Sequence, residues 1–120
     1  MIYTSYFSMM KWLNKEKCIS ISRFTPAKID IRKFDLLAPS EELLKHFKQF
    51  HDIDYYVNQY NAYLNRANPK KVYDYLDGSI LLCYEKPSDF CHRHLVRKWF
   101  NDAGLECREI NFKGDDVFGI

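Results

Sequence analysis

The four cysteines of this chain, Cys18, Cys83, Cys91 and Cys107, include no C-x-x-C pair. That spacing would announce a redox motif or a structural zinc site. Strong charge of one sign is also missing. Eighteen Lys and Arg face sixteen Asp and Glu, a net charge of +2. Nucleic-acid-binding domains usually carry a marked basic excess, so bulk charge gives no ground for that class. The opening MIYTSYFSMMKWL has no basic stretch ahead of a long apolar run. The expectation is therefore no secretory signal and no membrane span, hence a cytoplasmic protein with four free, reduced thiols. Repeats, low-complexity tracts and dividing linkers are absent as well.

What remains is an ordinary globular composition, 47% apolar and 28% charged, with aromatics high at 17%. A length of 120 residues suggests one domain spanning 1–120. A chain of this size can bury roughly two-thirds of its unfolded surface, enough for a core without disulfides or metal. Nine Tyr and nine Phe suit half-buried edges and ligand walls, since a tyrosine ring packs while its hydroxyl stays wet.

Strand-like and helix-like segments alternate along the chain. Residues 2–7 are apolar, aromatic and hydroxyl-rich, and residues 18–24 (CISISRF) alternate with period two, so both read as strands. Residues 8–14 read as a helical turn, and 28–37 as a mostly irregular crossing segment. Ser40 is a helix N-cap ahead of Leu43, Leu44 and Phe47. Residues 54–66 form a second helix, and Asn68-Pro69 opens a third. Residues 79–84 (SILLCY) are nearly all apolar, as a strand buried on both faces should be. A helix from about 89 to 102 and a strand over 105–112 complete the order. This alternation predicts an α/β domain in three α/β/α layers, with a mostly parallel central sheet flanked by helices.

Reactive side chains gather where the strand over 79–84 hands over to the next helix: Cys83, Glu85, Lys86, Ser88, Asp89, Cys91, His92, Arg93 and His94. Stepping back four residues from Leu95 and Val96 places Cys91 and His92 at the start of the inner helical stripe. Arg93 and Arg97 fall on a different face. Ligands of open α/β sheets bind beyond the carboxyl ends of the strands, and a helix N-terminus favours an anion. A cysteine in such a place can fall from about 8.5 to roughly 3.5–7.5 in pKa. A plain helix cap with a buried cysteine and a satisfied histidine uses the same residues. Cys91 and Arg97 stand at phosphatase-like C-x5-R spacing, but no glycine lies between them to let amides wrap a phosphate. Cys83, Cys91, His92 and His94 lack zinc-type spacing, so neither a metal nor another cofactor is expected. The basic set Arg93, His94, Arg97, Lys98 and Arg108 reads as a solvated helix face.

The stretches IYTSYF (2–7), ISISRFTP (19–26), LAPSEELL (37–44) and LLCYEKPSDFCHRHLVRKWFN (81–101) resemble the domain-of-unknown-function 488 family over nearly the whole chain and in the same order. The Cys-Tyr-Glu to Cys-His-Arg segment carries the resemblance most specifically. The resemblance implies a compact α/β domain with one shared polar site and assigns no activity. The family-like positions are Tyr3, Ser5, Arg23, Cys83, Glu85, Cys91, His92 and Arg93.

The combined expectation is a small anionic ligand, a nucleotide or a phosphate-bearing fragment, at the Cys-His-Arg turn. Tyr3, Ser5, Arg23 and Arg93 would bind it, the two guanidinium groups matching phosphate oxygens in pairs. Turnover would use Cys91 as nucleophile or Glu85 as acid/base, with His92 beside them. A ligand-sequestering module without turnover is the first alternative. A nucleic-acid-associated protein using the basic helix face is the second.

Overall fold

The computed structural model describes residues 1–84 and 90–110. Five parallel strands form one sheet: β1 (Ile2–Tyr6), β2 (Cys18–Ser20), β3 (Arg32–Lys33), β4 (Ile80–Cys83) and β5 (Cys107–Glu109), in the order β3-β2-β4-β1-β5. Among the described residues there are four α-helices: α1 (Glu41–Phe50), α2 (Ile53–Leu64) and α3 (Pro69–Leu76) between β3 and β4, and α4 (His92–Asp102) between β4 and β5. The expected α/β fold with a parallel sheet is thus present.

Side-chain alternation divides the core between the two sheet faces. Ile2, Ile19, Leu81 and Cys107 point to one face and join a cluster with Leu43 of α1, Tyr56, Tyr60 and Leu64 of α2, Val72 and Leu76 of α3, and Val96 and Phe100 of α4. Cys18, Ile80 and Leu82 point to the other face, where Phe7, Met9 and Leu13 cover them. The layer on that second face is a short 3₁₀ helix (Phe7–Trp12) with its flanking chain, rather than α-helices. All of β4 is buried, as its apolar run predicts.

Helix starts follow the sequence closely. Ser40 accepts a hydrogen bond from the Leu43 N–H at 3.1 Å. Asp52 caps α2 through the Tyr55 N–H, and Asn68 caps α3 through the Lys71 N–H. Each cap satisfies an amide that the helix leaves unpaired. Ser40→Ala should therefore lower stability by about 1 kcal/mol. Chemical denaturation followed by circular dichroism reads that change, and a difference near zero would mean that α1 does not depend on its cap.

Three segments differ from expectation. β2 ends at Ser20 instead of running to Phe24. The Ser20 hydroxyl bonds Thr25 Oγ1 at 2.7 Å and accepts from the Ser22 N–H at 3.3 Å. These local bonds take over beyond Ile21, whose N–H still pairs with the Leu82 carbonyl at 3.0 Å. The crossing segment holds the two-residue β3 and a 3₁₀ turn at Asp35–Leu37. α4 starts at His92, with Cys91 in extended geometry as its N-cap, three residues later than the periodicity suggests.

Candidate functional site at the carboxyl edge of the sheet

β2 and β4 run parallel, so both release the chain at the same edge. Ser22 and Arg23 follow β2, Tyr84 follows β4, and Phe90, Cys91 and His92 lead into α4. Together they line a cavity of about 190 Å³ closed by Phe24, Pro39, Leu44, Phe47 and Tyr56. Its walls are mostly aromatic. Phe90 meets Tyr56 edge-on at 4.9 Å and lies 5.4 Å from Phe47. Arg23 and Pro39 also border a neighbouring groove of about 570 Å³.

His92 is buried and tied down at both ring nitrogens. Nε2 lies 2.7 Å from the Ile21 carbonyl oxygen, which only accepts, so Nε2 carries the hydrogen. Nδ1 then presents its lone pair toward Cys91 Sγ at 3.7 Å. Burial pushes the imidazole down to about 4, against the pull of the Ile21 carbonyl, and the adjacent Arg93 and His94 add to the lowering. His92 is thus neutral at physiological pH.

Arg23 donates Nε–H to the Pro39 carbonyl at 2.9 Å and Nη2–H to the Ala38 carbonyl at 3.4 Å. These bonds hold its guanidinium at the rim of the cavity. Among the described residues Nη1 makes no hydrogen bond.

Arg93 turns inward instead of into the cavity. It is fully buried beneath the sheet edge. Nε donates to Glu109 Oε1 at 3.1 Å, Nη2 donates to Oε2 at 2.9 Å, and Nη1 donates to Cys83 Sγ at 2.9 Å. The Tyr6 ring lies 5.7 Å from its guanidinium carbon, and Thr4 donates to Glu109 Oε1 at 2.5 Å. Arg93 therefore shares the inner stripe of α4 with Val96 and Phe100.

The expectation of four free thiols is corrected at one pair. The end of β4 and the N-cap of α4 bring Cys83 and Cys91 together, and the structure joins them as a disulfide. Cys18 and Cys107 are free and buried. Burial pushes their thiols up to about 11 and about 12, so neither is a reactive thiolate at neutral pH.

The other expected site residues are dispersed. Tyr3 pairs with Ile80 at the start of β4, far from the carboxyl edge. Ser5 pairs with Leu82 and points to the face away from the α-helices. Neither lines the cavity. Glu85, Lys86, Ser88 and Asp89 lie outside the described residues. The C-x5-R segment is helical, as its residues suggest. The basic helix face is broken up: Lys98 pairs with Asp102 at 2.8 Å, Arg108 with Glu106 at 2.5 Å, and Arg93 is buried. Among the described residues no helix is long and apolar enough to cross a membrane.

Sequence reasoning missed the cavity walls, Phe47, Tyr56 and Phe90, and the carboxylate partner Glu109. The walls come from three segments that no local pattern connects. Glu109 had a signal, for it follows Cys107 by two residues and so shares that residue's inward face.

No curated protein and no solved structure matches the chain. A family model does match, over residues 12–104, and its description reads "Active DUF488-N3 subclade". That span holds every residue that lines the cavity. With the cavity, its histidine and its cysteine pair all inside the matched region, the chain belongs to the DUF488-N3a family.

Proposed function

We propose that the cavity at the carboxyl edge binds a small anionic ligand carrying a planar group, a nucleotide or a phosphate-bearing fragment. One observation carries the reading: Arg23, Cys91 and His92 share a single aromatic-walled cavity beyond the ends of parallel strands. Aromatic rings hold a planar group by stacking, and a guanidinium at the rim meets its negative charge. A volume of about 190 Å³ is below the roughly 300–1,000 Å³ of pockets that take drug-sized ligands. The cavity then holds the base or the sugar phosphate, and the groove beyond Arg23 takes the remainder.

With the disulfide reduced, Cys91 stands beside the lone pair of His92 Nδ1. The thiol can donate a hydrogen bond to Nδ1, which makes Cys91 the candidate nucleophile of the cavity. That chemistry belongs to a thiol-reducing compartment, in keeping with a cytoplasmic protein. The family's description as the active subclade favours turnover over sequestration.

Arg23→Ala should weaken binding of a nucleoside monophosphate by about 10- to 100-fold, the loss of one or two charge-assisted hydrogen bonds, with the fold kept. Calorimetry against a panel of nucleotides and sugar phosphates measures it. Equal affinity in wild type and variant would remove Arg23 from the site. No binding of any panel member to the reduced wild type would sink the proposal.

A further inference from the structure

Beyond anion binding, three soft or borderline donors meet at the same edge. The sulfurs of Cys83 and Cys91 and a ring nitrogen of His92 all lie within 4.8 Å of one another, and all three residues are buried. We propose that in the reduced protein Cys83, Cys91 and His92 form a binding site for a thiophilic divalent cation, zinc above all, at the wall of the cavity.

The donor set fits the ion. Two thiolates and one neutral imidazole balance a charge of +2, so the bound site adds no net charge to the interior. Sulfur and imidazole select zinc over magnesium or calcium, which prefer oxygen. Three protein donors leave a tetrahedral ion one position for water or substrate, the pattern of catalytic rather than structural zinc. Cys91 and His92 both line the cavity, so an ion they hold adjoins it, and in the metal-bound state Cys91 is a ligand rather than a nucleophile.

The surroundings support each donor. A metal-bound histidine commonly donates its other N–H to a carbonyl, which fixes the tautomer and aims the free nitrogen. His92 does this through Nε2 and the Ile21 carbonyl at 2.7 Å. Arg93 Nη1 donates to Cys83 Sγ at 2.9 Å, a hydrogen bond suited to a thiolate ligand. The Cα atoms of Cys83 and Cys91 stand 7.5 Å apart. Most disulfides bring theirs to about 4.4–6.8 Å. Reduction lets the two sulfurs separate far enough to hold an ion between them.

Loading requires a thiol or phosphine reductant. A thiol reductant breaks the Cys83–Cys91 bond, leaves two thiols and is itself oxidised to its disulfide. The cation then displaces the two thiol protons, which pass to solvent, and three bonds to the metal form.

The test is cobalt titration of the full chain, reduced with a phosphine under anaerobic conditions and freed of metal with a chelator. The expected result is saturation at one equivalent, with a thiolate-to-cobalt charge-transfer band and the visible bands of a tetrahedral ion, both erased by added zinc. Cys91→Ser and His92→Gln should lose the charge-transfer intensity or the stoichiometric binding, whereas Cys18→Ser and Cys107→Ser should keep both. Circular dichroism of each variant checks the fold. If Cys83→Ser does not fold, Cys91→Ser at the cavity wall carries the decision. No charge-transfer band in the reduced wild type overturns the proposal. So does a band that survives in Cys91→Ser, or a Cys83–Cys91 disulfide that resists the phosphine in the native protein.

Discussion

Arg93→Ala should destabilise the fold by about 3–5 kcal/mol, the cost of stripping a buried charge of its partner. Arg93 has no exposed surface, and Glu109 keeps only 14%. Removing the guanidinium leaves a carboxylate held by Thr4 alone among the described residues, under the packed inner face of α4. Cys83 loses its donor in the same step. Read from the sequence, Arg93 is an anion-binding residue, and the structure buries it against Glu109 instead. Replacing both partners at once, as Arg93→Met with Glu109→Leu, should cost much less than either single change, because neither charge of the pair is left without the other. Urea denaturation of the two singles and the double measures this. A loss below about 1 kcal/mol in Arg93→Ala, the scale of an exposed pair such as Lys98–Asp102, would show the pair to be solvated.

Mild acid should weaken the metal-free protein through His92. Its imidazole sits at about 4 in the folded chain, against an ordinary 6.5. Between those values the unfolded chain takes up a proton that the folded chain refuses. Stability is therefore whole above about pH 6.5 and drains away as pH falls toward 4. At about 1.4 kcal/mol per pKa unit, the loss across that window is on the order of 3 kcal/mol. Denaturation midpoints at several pH values, taken with a chelator present, should slope downward in this range. His92→Gln should flatten the slope, since it keeps a polar group near the Ile21 carbonyl but cannot titrate. Parallel slopes in wild type and variant would assign the acid sensitivity to other groups.

The fold was legible where the signals are local. Ser40 and Asn68 marked helix starts because a capping side chain acts within three residues. The run Ile80–Cys83 announced a doubly buried strand by lacking any polar residue. β2 was overread because the serine hydroxyls that bend the chain at Ser20 also fit a period-two pattern. The site was half legible. The turn before α4 was found because reactive residues crowd it in sequence, and Arg23 joined it because parallel strands end at one edge. Arg93 lies on the inner side of the helix. Four residues back from Leu95 and Val96 lie Cys91 and His92, whereas three back from Val96 and seven back from Phe100 both land on Arg93. Glu109 on the inner side of β5 then supplies the charge that makes such an arginine tolerable. Tyr3 and Ser5 were drawn in by resemblance, and strand register separates them from the turn.

The strand order also sets a sequence of assembly. β1 lies between β4 and β5, pairing with residues that follow it by more than seventy positions along the chain. A ribosome therefore delivers β1 long before anything exists for it to pair with, and most of the sheet's closure entropy is met late. Until Glu109 emerges, α4 cannot form the ion pair that joins Arg93 to β5, so the packing of α4 against the sheet is completed only with β5.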